Sequence, residues 1–251
     1  FILALTLITF ISFVDDIRSV SQGLRLMLHF SAMALMFYQW GLFTLPWWWI
    51  IVALIVCTGI INAYNFMDGI NGITGGYSLV ILGALAYINS KIITFVEPDL
   101  IYTVLCSVFV FCFFNFRKKA KCFAGDVGSV SIAFILLFLI GRLIIKTDDF
   151  SWIILLSVYG VDSVLTIIHR LMLHENIGLP HRKHMYQLMA NELKMPHVVV
   201  SLIYMVVQAI IIIGYIGCLN YGYIFLLGVI LLLSFIYIWF MKKYFSLHQK
   251  V

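Results

Sequence analysis

The sequence predicts an all-α polytopic membrane helical bundle of about nine transmembrane helices, and three observations predict it. The 251 residues are 63% hydrophobic and 11% charged, with a mean hydropathy of +1.07, whereas soluble domains run near half apolar and a quarter charged. Residues 26–67 and 195–241 contain no Asp, Glu, Lys or Arg. At about 1.5 Å of rise per residue, each run can make two spans of about 20 residues. The runs also lack the alternation of a membrane barrel strand, so the backbone has to satisfy its own hydrogen bonds helically.

Breakers divide the chain into helices at about 1–14, 24–45, 47–64, 73–90, 99–115, 127–145, 151–170, 197–216 and 222–241. Pro46 separates the second from the third, and Trp47, Trp48 and Trp49 after it suit a membrane interface. Gly217 to Asn220 separates the last two. No internal repeat or low-complexity linker interrupts the pattern, so one integral-membrane domain over 1–251 is expected. The chain starts at Phe1 rather than Met and its first apolar stretch is short, which reads as N-terminal incompleteness. Five scattered Cys, with no CxxC, give no disulfide or metal pattern.

Nine spans alternate between two sides. Of the 16 basic residues, Lys91, Arg142 and Lys146 fall on one side and the other 13 on the opposite one. The positive-inside rule makes the basic side cytoplasmic. The net charge of +5 therefore reports topology, and no nucleic-acid partner is expected.

Four polar clusters share that side. Asp15-Asp16 ends the first helix, where two adjacent carboxylates need water, a partner or a cation. Either a hydrated loop start or a Mg²⁺–phosphate site, with Arg18 and Arg25 contacting phosphate, accounts for them. In the second cluster Asn62, Asn65 and Asp68 recur every three residues, which forms one polar strip if the helix continues. A C-cap explains Gly69 or Gly72, but not two Asn at membrane depth. The third, Phe123-Ala-Gly125-Asp126-Val-Gly128-Ser129, follows Asn115 and a basic run. Asp126 or Ser129 could cap the next helix, or Asp126 could hold a metal at a helix N-terminus suited to phosphate. The fourth groups His181, Arg182, Lys183 and His184 into a phosphate-binding candidate in the longest polar stretch. Asp162 stands apart inside the seventh helix, with an interhelical pairing as good an explanation as catalysis.

Taken in order, DD near a span end, NAYNFMDGINGITGG, FAGDVGS and HRKHMYQ resemble the motifs of the polyprenyl-phosphate N-acetylhexosamine-1-phosphate transferases, the WecA/MraY-like enzymes of glycosyltransferase family 4 type. The resemblance runs along essentially the whole chain. It implies a fold of ten or eleven helices, of which this chain would lack the first one or two. It also implies transfer of HexNAc-1-phosphate from UDP-HexNAc to polyprenyl (undecaprenyl) phosphate at the cytoplasmic face of a bacterial inner membrane, with release of UMP. Mg²⁺, or Mn²⁺ in its place, would be the cofactor and Asp126 its ligand. Asp15, Asp16, Asn65 and Asp68 match catalytic positions; Arg25, Asn62, Asn115, Phe123, His181, Arg182 and His184 match or adjoin substrate-binding ones. A homodimer stays open as a partner state.

Two departures bear on the branch. Asn71 stands where many relatives have Asp, and the loop reads HMYQ where better-known members cluster three His. The first removes the polar contact expected there for the nucleotide base; the second favours enzymes that initiate O-antigen, capsule or related glycans over the alternative, phospho-MurNAc-pentapeptide transfer. From another class, a transporter of anionic lipid or nucleotide sugar would place its binding groups near the midplane, where only Asp162 lies.

Overall fold

The computed structural model describes residues 1–18, 20–176 and 181–248. The Leu179-Pro180 lead-in to the fourth motif, and Lys250 in the tail, lie outside them. The described residues form helices and no strands. In order they are α1 (Ile2–Ile17), α2 (Gln22–Trp40), α3 (Trp47–Met67), α4 (Ile73–Lys91), α5 (Pro98–Asn115), α6 (Gly125–Thr147), α7 (Ser157–Met172), α8 (Met185–Asn191), α9 (His197–Gly217) and α10 (Gly222–His248). Among the described residues, seven segments are long and apolar enough to cross a membrane: α3, α4, α5, α6, Phe150–Met172, α9 and Leu219–Leu247. The two expected spans outside that set have visible reasons. α1 has 16 residues, a rise of about 24 Å, and α2 carries Arg25, His29 and Gln39 among its apolar residues.

Local chemistry explains where the boundaries moved. The second helix stops at Trp40, not 45, because Gly41 takes the left-handed conformation (φ 73°) and a 3₁₀ turn, Leu42–Thr44, follows. The seventh begins as a 3₁₀ segment, Phe150–Leu156, whose first turn is held by the Asp149 carboxylate accepting from the Ser151 N–H at 2.8 Å. α3 runs on to Met67, so Asn62 and Asn65 are one helical turn apart and Asp68 is the C-cap residue. The polar loop after α7 contains α8, a helix absent from the predicted set; at seven residues it is too short for periodicity to expose.

α4, α6 and the Phe150–Met172 segment form the centre. They are buried along 67%, 61% and 61% of their most apolar stretch, against 17% for α5 and for the last helix. α4 packs on α5 and α9, α6 on α1 and α3, and α7 on α10. The C-terminal ends of α1, α3, α5 and α7 therefore meet the N-terminal ends of α4, α6 and α9 at one end of the bundle, and the four polar motifs lie there.

Candidate active site

Carboxylates from three helices converge at that end. Asp15, at the C-terminal end of α1, accepts from the Val20 N–H at 2.7 Å and from Arg25 Nη1 at 3.0 Å. The same Arg25 nitrogen lies 3.8 Å from the Asp126 carboxylate at the start of α6, so one guanidinium bridges two motifs. Asp16 points at α6, and its two oxygens accept from the N–H groups of Asp126 and Val127, both at 3.3 Å. The cap of α6 is thus neither Asp126 nor Ser129 but a carboxylate 110 residues upstream, and those two donors are already engaged rather than open to a phosphate. The contact needs Gly125: its φ is +61°, and a Cβ there would come within 2.9 Å of the Asp16 carboxylate.

α3 supplies the opposite wall. Asn65 Oδ1 accepts from the Ser129 hydroxyl at 2.7 Å, and its amide faces the Asp126 carboxylate. Asn62 is half-buried one turn below and is not tied to the cluster. Asp68, just past the helix, has its carboxyl pushed up to about 6, mainly by burial and further by the Asp126 charge, while the Thr74 side chain pulls the other way. Asp15, Asp16, Asp126 and Asp68 therefore share one field, with Arg25 as the cation paired inside it.

The neighbouring loop is shaped from beneath. Asn115 is buried; its Oδ1 accepts from the Gly72 N–H at 2.7 Å and its Nδ2 donates to the Cys122 carbonyl at 2.8 Å. Asn71 Nδ2 donates to the carbonyls of Arg117 and Lys118, at 3.0 and 3.3 Å. Both Asn thus hold the 116–124 loop and leave Phe123 standing out, 75% exposed. A cavity of about 380 Å³ opens behind that ring between α4, α5 and α6, and its lining includes Thr74, Ser78, Phe111, Phe123 and Val127.

The fourth motif is less available than its composition suggested. Lys183 is paired with Glu175, which also receives Arg170 Nε at 3.2 Å. His184 is 2% exposed, turned inward with Nδ1 3.4 Å from Asp162. His181 stacks near it, with ring centres 4.9 Å apart, and near Phe66 of α3 at 6.1 Å. Burial, with His184 and Arg170 beside it, pushes the His181 ring down to about 4, so it is neutral at pH 7 and offers hydrogen bonds rather than charge. Arg182 remains exposed. The whole motif docks onto α3 because Tyr186 donates to the Phe66 carbonyl at 2.9 Å, and Gly69 lies so close to that hydroxyl that a Cβ would overlap it.

Sequence reasoning missed two partners here. Asp16 as the cap of α6 left no local signal, since the two lie on different helices. The pairing of Asp162 with the fourth motif had one: an Asp inside an apolar span has to find a partner.

Known proteins decide the family. The Glycosyl transferase family 4 signature matches residues 1–144. The chain belongs to glycosyl transferase family 4. The matched stretch carries the first three motifs and ends with α6; the fourth motif lies beyond it. Over 149 residues the chain is 30% identical to the "Probable undecaprenyl-phosphate N-acetylglucosaminyl 1-phosphate transferase" of Bacillus subtilis (strain 168), covering 57% of this chain and 41% of that protein. It is 29% identical over 121 residues to the phospho-N-acetylmuramoyl-pentapeptide-transferase of Thermotoga petrophila, 48% of this chain and 38% of that one. With the enzyme of the same name from Lactobacillus acidophilus it shares 38% identity over 74 residues, 30% of this chain and 23% of that protein. The chain thus spans less than half the length of these curated relatives.

Proposed function

We propose that the protein transfers HexNAc-1-phosphate from a UDP-HexNAc to a polyprenyl phosphate, releasing UMP, at the cytoplasmic face of a bacterial membrane. The observation that carries this reading is the convergence of Asp15 and Asp16 of α1, Asp68 at the end of α3 and Asp126 of α6, with Arg25 between Asp15 and Asp126. Four carboxylates with one paired cation form a site short of positive charge, which suits a divalent cation brought in with a diphosphate. The donor chemistry fits Mg²⁺: the available groups are hard oxygens. Among the described residues no group of three or more His, Cys, Asp or Glu is placed to hold a metal ion by itself. Mg²⁺ does not need one, because it keeps several waters and takes one or two carboxylates plus substrate phosphates. Asp126, with Asp68 beside it, would hold the ion, which supplies charge neutralisation on the diphosphate when bound.

The chain's own residues do the rest. Arg25 stands between Asp15 and Asp126, with one guanidinium nitrogen 3.0 Å from the first carboxylate and 3.8 Å from the second. Asp15 is then placed to accept a proton from, or orient, the incoming lipid phosphate. Asp16 fixes the start of α6 and with it the direction of the Asp126 side chain. Phe123 offers a ring face for stacking the uracil, and Arg182 an exposed guanidinium for the diphosphate. The HMYQ loop favours the branch that initiates O-antigen, capsule or related glycans. Purified protein in detergent with Mg²⁺, undecaprenyl phosphate and a panel of UDP-HexNAc donors is expected to give a diphospho-linked sugar lipid and equimolar UMP. Folded protein that makes no lipid product from any UDP-HexNAc would overturn the reading.

A further inference from the structure

The basic run after α5 takes no part in the carboxylate cluster. Arg117, Lys118, Lys119 and Lys121 put four cations into five residues, with no Asp or Glu between Asp99 and Asp126 to offset them. None of the four has an ion-pair partner among the described residues. Their backbone is nevertheless fixed. Asn71 Nδ2 donates to the carbonyls of Arg117 and Lys118, and the Phe116 ring lies over Gly72 so closely that a Cβ there would overlap it. The Arg117 side chain is fixed as well: Nε donates to the Phe113 carbonyl at 2.6 Å, and the guanidinium carbon sits 4.6 Å from the centre of the Phe113 ring. That leaves the N–H groups of its two terminal nitrogens for an acceptor from outside the chain.

Arg117 also closes one end of an apolar crevice. A cavity of 440 Å³ lies between α4, α5 and α9, and Arg117 is the charged residue of its lining. A second cavity, of 340 Å³, lies between α4 and α9. The two are successive parts of one track, because Gly76, Val80, Ala84 and Tyr87 share a face of α4, and Leu202, Met205, Ala209 and Ile216 share a face of α9. Gly76 lets Met205 form the floor, since a Cβ there would run into the Met205 sulfur. From Gly76 to Tyr87 the track runs about 16 Å, roughly one leaflet of a bilayer's hydrocarbon core. Phe109, Phe113 and Ile213 along it are exposed, so it opens sideways toward lipid.

A fixed, unpaired guanidinium with lysines beside it, above an apolar track one leaflet deep, matches a molecule with a phosphate at the top and a hydrocarbon chain beneath. The acceptor of the transfer reaction shares that chemistry, but the track belongs to α4, α5 and α9, whereas the four carboxylates belong to α1, α6 and the end of α3. We propose that the track is a site for an anionic phospholipid of the surrounding bilayer, with its headgroup phosphate on Arg117 and Lys118 and one acyl chain between α4 and α9. The site stands whether or not the transferase reading does.

Native mass spectrometry of the protein purified in detergent tests it, with phosphatidylglycerol and phosphatidylcholine of identical acyl chains as the probes. One phosphatidylglycerol is expected to be retained about tenfold or more tightly than phosphatidylcholine. Arg117→Gln with Lys118→Gln, two changes at the surface, is expected to bring phosphatidylglycerol down to the phosphatidylcholine level. Ala209→Phe fills the track with every charge intact and is expected to weaken retention as much; where it does not fold, Ala84→Phe fills the same track from α4. Equal retention of the two lipids by the wild type overturns the proposal, and so does undiminished preference in the charge variant. Wild-type retention in a folded track variant also overturns it, because the attraction would then be to the basic loop alone. Undecaprenyl phosphate displacing phosphatidylglycerol more effectively than free phosphatidylglycerol does would assign the track to the acceptor instead.

Discussion

The carboxylates of α1, α3 and α6 and the carboxylate of α7 are the same functional group in opposite circumstances. Asp126 keeps 31% of its side chain exposed and its nearest cation is 3.8 Å away. Asp162 is buried and accepts from Thr166, Met185 and Tyr204, with His184 Nδ1 3.4 Å away. The first arrangement concentrates negative charge without satisfying it; the second satisfies one charge completely. An under-paired cluster at a membrane surface is held for a ligand that brings positive charge, whereas a saturated carboxylate inside a bundle is held for shape. The two regions are joined through α3, whose C-terminal end faces Asp126 through Asn65 and receives the Tyr186 hydroxyl at Phe66.

Substitutions separate the two roles. The largest effect is expected at the cluster: Asp126→Ala should reduce turnover at least about a thousandfold, roughly 4 kcal/mol of transition-state stabilisation, with a Tm within a few degrees of wild type. Near-normal turnover would remove Asp126 from the reaction. Next comes the anchor, where Asp162→Ala strands the Tyr204 hydroxyl and the Met185 N–H. A loss of about 3 kcal/mol is expected, read as a lowered midpoint in detergent unfolding; an unchanged midpoint would erase the contrast between the two regions. The smallest effect belongs to the exposed ring. Phe123→Ala should weaken UDP binding by about 2 kcal/mol, the scale of base–aromatic stacking, roughly a 30-fold change by calorimetry, with no loss of stability.

Much of the fold is legible in the sequence for a physical reason. Lipid cannot hydrogen-bond to a backbone, so spans have to be continuous apolar runs, and the starts and ends of α4, α5 and α9 and the starts of α3 and α10 follow from those runs, whereas α10 continues past the run, expected to end at 241, to His248. What the runs hide is contact between them. Asp15-Asp16 reads as a unit, yet the two side chains diverge, one to Arg25 and one to the N-terminus of α6, because adjacent residues on a helix point about 100° apart. Asn115 reads as a site residue, and its amide turns out to be spent on backbone groups that shape the loop carrying Phe123. Lys183 reads as part of a phosphate-binding group, and Glu175, eight residues earlier, takes it up. In each case the residue type was visible and the choice of partner was made by packing.

The central claim is that the bond broken lies between the two phosphates of the donor. UDP-GlcNAc labelled with ³²P at either the α or the β phosphorus, or whichever UDP-HexNAc the donor panel identifies, tests this directly. The account predicts that the β label moves to the lipid and the α label leaves in UMP, in proportion to added Mg²⁺ and not at all in Asp126→Ala. Sugar reaching the lipid while both labels stay in UDP would contradict it, because the protein would then transfer a sugar and not a sugar phosphate.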